Sequence, residues 1–184
     1  MRKLFAGLAM SLDGVVHEPS TWLRFDDEMG KIMAAGLERS DAVLLGTKTY
    51  ADFAEMWPQY GTSTPMAAFL NQTPKYVATH TLDSLDWGPA HRLGGDLATA
   101  VTALKAEAGQ DIIVPGSPRL VASLMREGLL DELGLMIAPV VVGSGLRLFD
   151  EKLGGLGFTL VDSRTLRSGV LSVTYRPADR KRLG

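Results

Sequence analysis

The residue run DAVLLGTKTYADF (residues 41–53) has the residue types that bind a phosphate group. Its apolar part ends at Gly46, and Thr47, Lys48 and Thr49 follow where a helical pattern starts. Glycine allows a sharp turn, the first N–H groups of a helix attract anions, and hydroxyl and ammonium groups donate hydrogen bonds. The run therefore predicts a strand, a tight turn and a helix whose N-terminus could bind an anion.

A second turn of the same form follows the apolar run DIIVP (residues 111–115). Gly116 and Ser117 come directly before a predicted helix that begins with PRL. Turns of this form are also common as purely structural features, but two of them in one domain favour a ligand with separated phosphate groups. Neither turn is a G-x-x-x-x-G-K-[ST] loop or a G-x-G-x-x-G fingerprint, which excludes the P-loop and Rossmann binding modes.

Other residues that could do chemistry give weaker patterns. The acidic run of residues 26–28 precedes a helical pattern and could supply a proton, although a charged helix start that faces solvent is the common alternative. His17, His80 and His91 lie far apart in the sequence, without the spacing of metal ligands. Because the chain also lacks a G-x-S-x-G elbow, the sequence predicts neither a metal site nor a serine nucleophile.

Composition restricts the class of protein. The chain has 184 residues, of which 46% are hydrophobic and 22% charged, with a formal net charge of −2. These values predict one soluble globular domain and give no electrostatic attraction to nucleic acid or an anionic membrane. The chain contains no cysteine, which excludes disulfides and fits a cytoplasmic location. The basic segment of residues 177–184 is interpreted as a solvated tail, and the signal-like N-terminus as a buried first strand.

The hydrophobic pattern alternates strands with helices and then ends in consecutive strands. Strands are predicted at 3–10 (buried on both faces), 42–46, 75–79 and 111–115, and helices after Asp26, at 48–56, from Asp96 to Gly109 and at 118–127, with a short helix at 64–71. Three strands follow, at 131–143, 157–166 and 170–177, and the last two form a hairpin. This order predicts an α/β domain whose sheet is mostly parallel, with ligands beyond the carboxyl ends of the strands.

Four segments resemble, in the same order, motifs of the dihydrofolate-reductase-like family. They are LAMSLDG (8–14), LLGTKTYADFAEMWP (44–58), VPGSPRLVASLMREGLLDEL (114–133) and IAPVVVGSGLRLF (137–149). The matching branch is related to the reductase domain of the bifunctional riboflavin-biosynthesis deaminase-reductase. The resemblance implies a three-layer α/β/α domain over residues 1–176, with a central mixed, mostly parallel sheet and an antiparallel C-terminal hairpin. It also implies a homodimer.

The resemblance further implies NADPH as hydride donor and a small-molecule substrate. The residues that would bind NADPH are Ala9, Gly46, Thr47, Lys48, Thr49, Thr79, His80, Gly116, Ser117, Pro118, Arg119 and Leu120. The turn at Gly46 would bind the adenosine side with its 2′-phosphate, and the turn at Gly116 the pyrophosphate. The substrate would contact Ser11, Asp13 and Trp22, and the catalytic candidates are Asp13, Asp27 and Glu28.

Three positions depart from the family pattern. Thr47 stands where the family often has arginine, Gly30 falls near the position of the helix acid of dihydrofolate reductases, and Pro115 replaces a common glutamate. The main hypothesis is an NADPH-dependent reductase of a small polar C=N or C=O substrate, such as a compound like 5-amino-6-(5-phosphoribosylamino)uracil. The alternatives are a non-catalytic dimeric nucleotide-binding module of the same fold and a dihydrofolate reductase.

Overall fold

A computed structural model of the chain describes residues 1–149 and 153–178. Its strands are β1 (Leu4–Ser11), β2 (Ser40–Gly46), β3 (Lys75–Ala78), β4 (Ala90–Leu93), β5 (Asp111–Pro115), β6 (Glu132–Ala138), β7 (Phe158–Thr165) and β8 (Leu171–Pro177). The helices are α1 (Asp27–Glu38), α2 (Thr47–Met56), α3 (Pro65–Gln72), α4 (Leu97–Ala106) and α5 (Pro118–Arg126). Short 3-10 helices lie at Pro19–Thr21 and Trp57–Tyr60.

The strands form an eight-stranded sheet in the order β4-β3-β2-β5-β1-β6-β8-β7. The pairs from β4 through β6 are parallel, and β8 pairs antiparallel with both β6 and β7. This topology confirms the predicted mixed, mostly parallel sheet with an antiparallel C-terminal hairpin. The carboxyl ends of the six parallel strands share one edge of the sheet, which we call the carboxyl edge.

Helices cover both faces of the sheet, which confirms the three-layer architecture. On one face, Val101 of α4 and Val121 of α5 join a core cluster with Leu4, Leu44 and Val114 from the strands. On the other face, helices α1, α2 and α3 pack against alternate strand residues through the buried side chains of Leu37, Tyr50, Leu70, Val43 and Val77. The sequence alternation of buried residues therefore sets which helices each strand meets.

The helices α1 to α5 differ in whether a side chain accepts hydrogen bonds from the backbone N–H groups of their first turns. Asp26, Thr64 and Asp96 cap α1, α3 and α4, because each side chain accepts a hydrogen bond from a backbone N–H of the first turn. Helices α2 and α5 have Gly46 and Ser117 at the N-cap position, and neither receives a side-chain cap. Both uncapped helices start at the carboxyl edge, so their first N–H groups are available to a ligand.

The structure differs from the sequence predictions in several places. Strand β1 is not buried on both faces: Phe5, Gly7 and Ala9 are half-buried, because a cleft lies over that face. Strand β4 was not predicted, β6 ends at Ala138 before Pro139, and α4 ends at Ala106. Most of the predicted basic tail, residues 179–184, lies outside the described residues. Within the described ranges, no helix combines the length and hydrophobicity that a bilayer crossing requires.

Candidate functional site

A cleft of about 1890 Å³ runs along the carboxyl edge and continues between α1 and the sheet. All of the residues that the sequence analysis assigned to the cofactor line this cleft: Ala9, Gly46, Thr47, Lys48, Thr49, Thr79, His80, Gly116, Ser117, Pro118, Arg119 and Leu120. The structure therefore brings together residues from four separate strand ends. Their roles in binding stay predictions.

The two glycine turns are in direct contact with each other. The backbone N–H of Gly46 donates a hydrogen bond to Oγ of Ser117 at 3.1 Å. A Cβ atom added at Gly46 would lie 3.6 Å from Cβ of Leu120, and one added at Gly116 would lie 3.5 Å from Cγ2 of Thr49. The turns meet because β2 and β5 are neighbours in the sheet. A ligand at this point would face two uncapped helix N-termini at once.

The backbone at the second turn adopts an unusual conformation. Gly116 and Ser117 both have positive φ angles, of 66° and 54°. The first suits glycine, but the left-handed region costs a residue with a side chain about 1–2 kcal/mol. Ser117 is buried, and the hydrogen bond from Gly46 offsets part of this cost. The sheet also opens here, since β1 pairs with β5 only up to Gly7, where the N–H of Gly116 donates to the Gly7 carbonyl at 3.1 Å.

Most charged side chains of the cleft are paired within the protein. Nζ of Lys48 lies 2.9 Å from Asp52, and this hydrogen bond raises the pKa of Lys48. The other lining residues in ion pairs are His17 with Glu18 at 3.3 Å, Asp162 with Arg164 at 3.3 Å, and Arg39 with Glu132 at 2.9 Å and with Asp111 at 3.6 Å. Glu132 also lies 3.2 Å from Lys3 and 3.7 Å from Arg176.

Two basic side chains of the cleft differ from the rest. Among the described lining residues, His80 and Arg119 are the basic groups without a carboxylate partner, and both are exposed. His80 follows β3, and Arg119 lies in the first turn of α5. Both therefore stand at the carboxyl edge, on either side of the two glycine turns. Positive charge that is available to a ligand is concentrated at this end of the cleft.

The segment after β4 adds a third turn that the sequence analysis missed. Gly94 and Gly95 line the cleft, and a Cβ atom added at either would meet nothing within 4 Å. Gly95 has a φ angle of 77°, which favours glycine, and Asp96 caps the helix that follows. The signal in the sequence is the run RLGGD, a Gly-Gly pair directly before a helix cap. The sequence analysis missed this turn because the residues of strand β4, which precedes it, have no hydrophobic pattern.

Asp13 has a structural role in the loop after β1. Its carboxylate accepts hydrogen bonds from Oγ of Ser11 at 2.7 Å and from the backbone N–H groups of Val142 at 3.0 Å and Gly143 at 2.9 Å. Arg147 lies 3.4 Å from the same carboxylate. The hydrogen bond from Ser11, followed by that from Val142, holds the pKa of Asp13 well below its usual range.

These contacts join the loop after β1 to the loop after β6. We call the arrangement of Ser11, Asp13, Val142, Gly143 and Arg147 the loop clamp. Beside it, the backbone N–H of residue 16 donates to the carbonyl of residue 146 at 2.9 Å, and that of residue 148 donates to the carbonyl of residue 14 at 3.0 Å. Residues 16–20 and 145–146 line the cleft, although Ser11 and Asp13 do not. The clamp therefore positions one wall of the cleft.

The remaining candidates from the sequence analysis also lie outside the lining of the cleft. Asp27 is exposed, and Glu28 accepts a hydrogen bond from the backbone N–H of Arg167 at 2.9 Å. The indole N–H of Trp22 donates to the carbonyl of His17 at 2.9 Å. The structure does not bring Asp27, Glu28 or Trp22 to the cleft. Among the described residues there is also no group of three or more metal-ligating side chains.

Comparison with known proteins places these features in a family. The chain matches the model of the RibD C-terminal domain over residues 2–172. It is 29% identical over 184 residues to the uncharacterized protein YyaP of Bacillus subtilis strain 168, an alignment that covers 95% of this chain and 94% of that protein.

Solved structures show the same fold at low sequence identity. A protein of Shewanella sp. PV-4, described as a candidate riboflavin biosynthesis protein, superposes with a TM-score of 0.75 at 20% identity, over 96% of this chain and 99% of that one. The riboflavin biosynthesis reductase Rib7 of Saccharomyces cerevisiae gives 0.63 at 14% identity, over 96% and 90%. Dihydrofolate reductase of Schistosoma mansoni gives 0.63 at 12% identity, over 96% and 99%. These likenesses confirm a dihydrofolate-reductase-like fold.

Proposed function

We propose that this chain, which belongs to the RibD C-terminal domain family, is a reductase that transfers hydride from NADPH to a small C=N or C=O substrate. The observation that carries the proposal is the contact between the two glycine turns, where Gly46 and Ser117 bring two uncapped helix N-termini together. Such a pair of anion-binding ends suits a ligand with more than one phosphate group.

The residues at the carboxyl edge fit NADPH. The backbone N–H groups of residues 47–49 and of Arg119 and Leu120 would hold its phosphates, together with the basic side chains of His80 and Arg119. Lys48 could also contact a phosphate, because its pair with Asp52 is exposed and an exposed pair contributes little stability. The glycines at 94 and 95 leave room beside these groups. When bound, NADPH supplies the hydride.

The rest of the cleft would bind and orient the substrate. Its walls are largely apolar, which limits the access of bulk water to the reacting atoms. In the described part of the chain, no carboxyl group of α1 lines the cleft, so the proton that accompanies the hydride would come from water. The absence of such an acid from the lining argues against a dihydrofolate reductase. The first substrate that the family suggests is the riboflavin-pathway compound 5-amino-6-(5-phosphoribosylamino)uracil.

Calorimetric titration with NADPH and NADH tests the proposal. We expect Arg119→Gln to weaken the binding of both dinucleotides by roughly ten- to a hundredfold, because it removes a charge-assisted contact with a phosphate group. Lys48→Gln should weaken NADPH and leave NADH unchanged if this ammonium group meets the 2′-phosphate. Arg24→Gln, at an exposed position outside the cleft, is the control.

The same titration has outcomes that contradict the proposal. Failure of the wild-type protein to bind either dinucleotide would refute it. Dinucleotide binding with no oxidation of the cofactor by any C=N or C=O compound would instead support the non-catalytic module.

A homodimer is part of the proposal. Leu160 and Val161 of β7 and Leu171 of β8 are 51%, 49% and 42% exposed, on an edge strand and its neighbour. Exposed apolar residues on an edge strand favour association with another chain. Sedimentation should therefore give a dimer that Leu160→Glu dissociates, while the neighbouring Thr159→Glu leaves it intact. A monomeric wild-type protein would refute this assembly.

A further inference from the structure

We infer that Arg92, through its own charge and through the loop that it holds, makes this site select NADPH over NADH. The inference rests on the proposed reductase function. It names the side chain on which recognition of the 2′-phosphate depends, the group by which the two dinucleotides differ. Arg92 lies on β4, directly before the turn of Gly94 and Gly95, and the sequence analysis did not assign it to the cofactor.

The order of the strands determines which end of a dinucleotide would lie near β4. The two uncapped helix N-termini meet at the ends of β2 and β5, where the proposed function binds the pyrophosphate. The cleft continues from there beside β1 and β6 in one direction, and past the ends of β3 and β4 in the other. Because the substrate is assigned to the first direction, the nicotinamide must face that side. The adenosine with its 2′-phosphate would therefore face the ends of β3 and β4.

Arg92 holds the loop that follows β3. Its guanidinium donates hydrogen bonds to the carbonyl oxygens of Thr79 at 3.5 Å, of Asp83 at 3.3 Å and of Leu82. The loop is also held from within, because Oγ1 of the buried Thr79 accepts from the backbone N–H groups of residues 81 and 82 at 3.3 Å. His80 lies between these fixed points and lines the cleft. Arg92 therefore positions His80 at the carboxyl edge.

The positive charge of Arg92 is not neutralised by a carboxylate among the described residues, where only the three carbonyl oxygens accept from it. A guanidinium has five N–H donors, so two of them stay available. The side chain is exposed, on the face of the sheet where its register partner Val77 packs with Tyr50 of α2. The nearby Asp96 is engaged as the cap of α4 and does not line the cleft. This end of the cleft therefore has a net positive charge that suits a phosphate dianion.

Lys48 is the other cation that could meet the 2′-phosphate, and its charge balance is different. Both carboxylate oxygens of Asp52 lie 2.9 Å from its Nζ, so a phosphate at Lys48 would also face this carboxylate. The first turn of α2 abuts the loop that Arg92 holds, since the hydroxyl of Thr47 donates to the Ala78 carbonyl at 3.4 Å. Arg92 therefore supplies, from the neighbouring strand, a charge that neither Thr47 nor the paired Lys48 provides.

Calorimetric titration of Arg92→Gln with NADPH and NADH tests the inference. We expect NADPH to bind about tenfold more weakly than to the wild type and NADH to change less than about twofold, because only NADPH has the 2′-phosphate. Arg92→Lys keeps the charge and should weaken NADPH by about threefold or less. Lys48→Gln should weaken NADPH less than Arg92→Gln does. Arg24→Gln, at an exposed position outside the cleft, is the control for loss of one positive charge.

His80→Gln tests the positioning role and, because its side chain is exposed, should keep the thermal unfolding midpoint of the wild type. We expect it to weaken NADPH by about three- to tenfold and to leave NADH unchanged. In the double variant, Arg92→Gln should weaken NADPH by a smaller factor than it does alone, because part of its effect acts through His80. An unchanged ratio of the two affinities in His80→Gln, or independent effects in the double variant, would overturn this role.

Other outcomes separate the inference from the proposed function. Equal weakening of both dinucleotides by Arg92→Gln, or a larger loss of NADPH binding in Lys48→Gln, would overturn the inference. A wild-type protein that binds NADPH and NADH equally would overturn it as well, while a reductase that uses either dinucleotide would remain. If the wild type binds neither dinucleotide, the proposed function itself fails.

Discussion

Ser117 links the two turns on which the proposed cofactor site depends. Its hydroxyl accepts the Gly46 N–H at 3.1 Å, and its backbone is held in the left-handed region. We predict that Ser117→Ala lowers the free energy of unfolding by about 1–3 kcal/mol, because the Gly46 N–H loses its acceptor. Ser117→Gly should cost less, since glycine adopts this conformation without strain.

Urea unfolding of the three proteins measures this difference. Ser63→Ala, at an exposed position away from the turns, is the control and should unfold like the wild type. Equal stability of the wild type and Ser117→Ala would show that the contact between the turns does not stabilise the fold. The outcome bears on function as well, because a looser contact would separate the two helix N-termini.

Residue types in the sequence predicted which residues line one end of the cleft, but not where the candidate acids lie. Glycine and hydroxyl residues after apolar runs predict anion-binding turns, because their effect is local. Asp13 was predicted to contact substrate, yet its partners Val142 and Gly143 are about 130 residues away in the chain. A long-range hydrogen bond of this kind leaves no local pattern, so only the folded chain shows where the carboxylate is bound.

The loop clamp is the feature at the scale of elements that shapes the cleft. We predict that Asp13→Ala accelerates amide hydrogen exchange in residues 14–18 and 140–148, because the two loops lose the carboxylate that joins them. Exchange in the strands at the centre of the sheet should stay unchanged. The control is Asp83→Ala, in an exposed turn that does not line the cleft. Equal exchange rates in the wild type and Asp13→Ala would show that the clamp does not hold the wall.

The clamp also explains why one predicted strand is shorter than its hydrophobic pattern. Residues 131–143 were predicted as a single strand, but β6 ends at Ala138 and Pro139 follows. Beyond this point the N–H groups of Val142 and Gly143 donate to Asp13 instead of to a neighbouring strand. Strand β4 was missed because its sequence AHRL has no apolar alternation. It is extended because it pairs with β3 at the edge of the sheet. The alternation of apolar residues predicts a strand well where alternate side chains are buried on one face of the sheet.

At the scale of the whole molecule, a buried lysine makes the stability of the fold depend on pH. Lys75 on β3 is fully buried, and its ammonium group donates to the Thr73 carbonyl at 2.9 Å and lies 4.4 Å from the centre of the Trp87 ring. No carboxylate among the described residues pairs with it. Burial lowers the pKa of Lys75 to about 8, from an ordinary value of 10.5. The folded chain therefore releases this proton before the unfolded chain does.

This difference makes stability depend on pH in a defined direction. Between about pH 8 and 10.5 the unfolded chain binds more protons at Lys75 than the folded chain, so stability rises with pH in that window. Below the window the ammonium is charged in both states and its contribution is constant. We predict that the wild type gains about 1–3 kcal/mol relative to Lys75→Met as the pH rises from about 7.5 to 10. Lysines and tyrosines elsewhere are present in both proteins, so the difference isolates Lys75.

Urea unfolding at several pH values measures this difference, with the exposed Lys31→Met as the control that should follow the wild type. Parallel pH profiles of the wild type and Lys75→Met would show that Lys75 titrates alike in the folded and unfolded chain, and that burial beside Trp87 does not disfavour its charge.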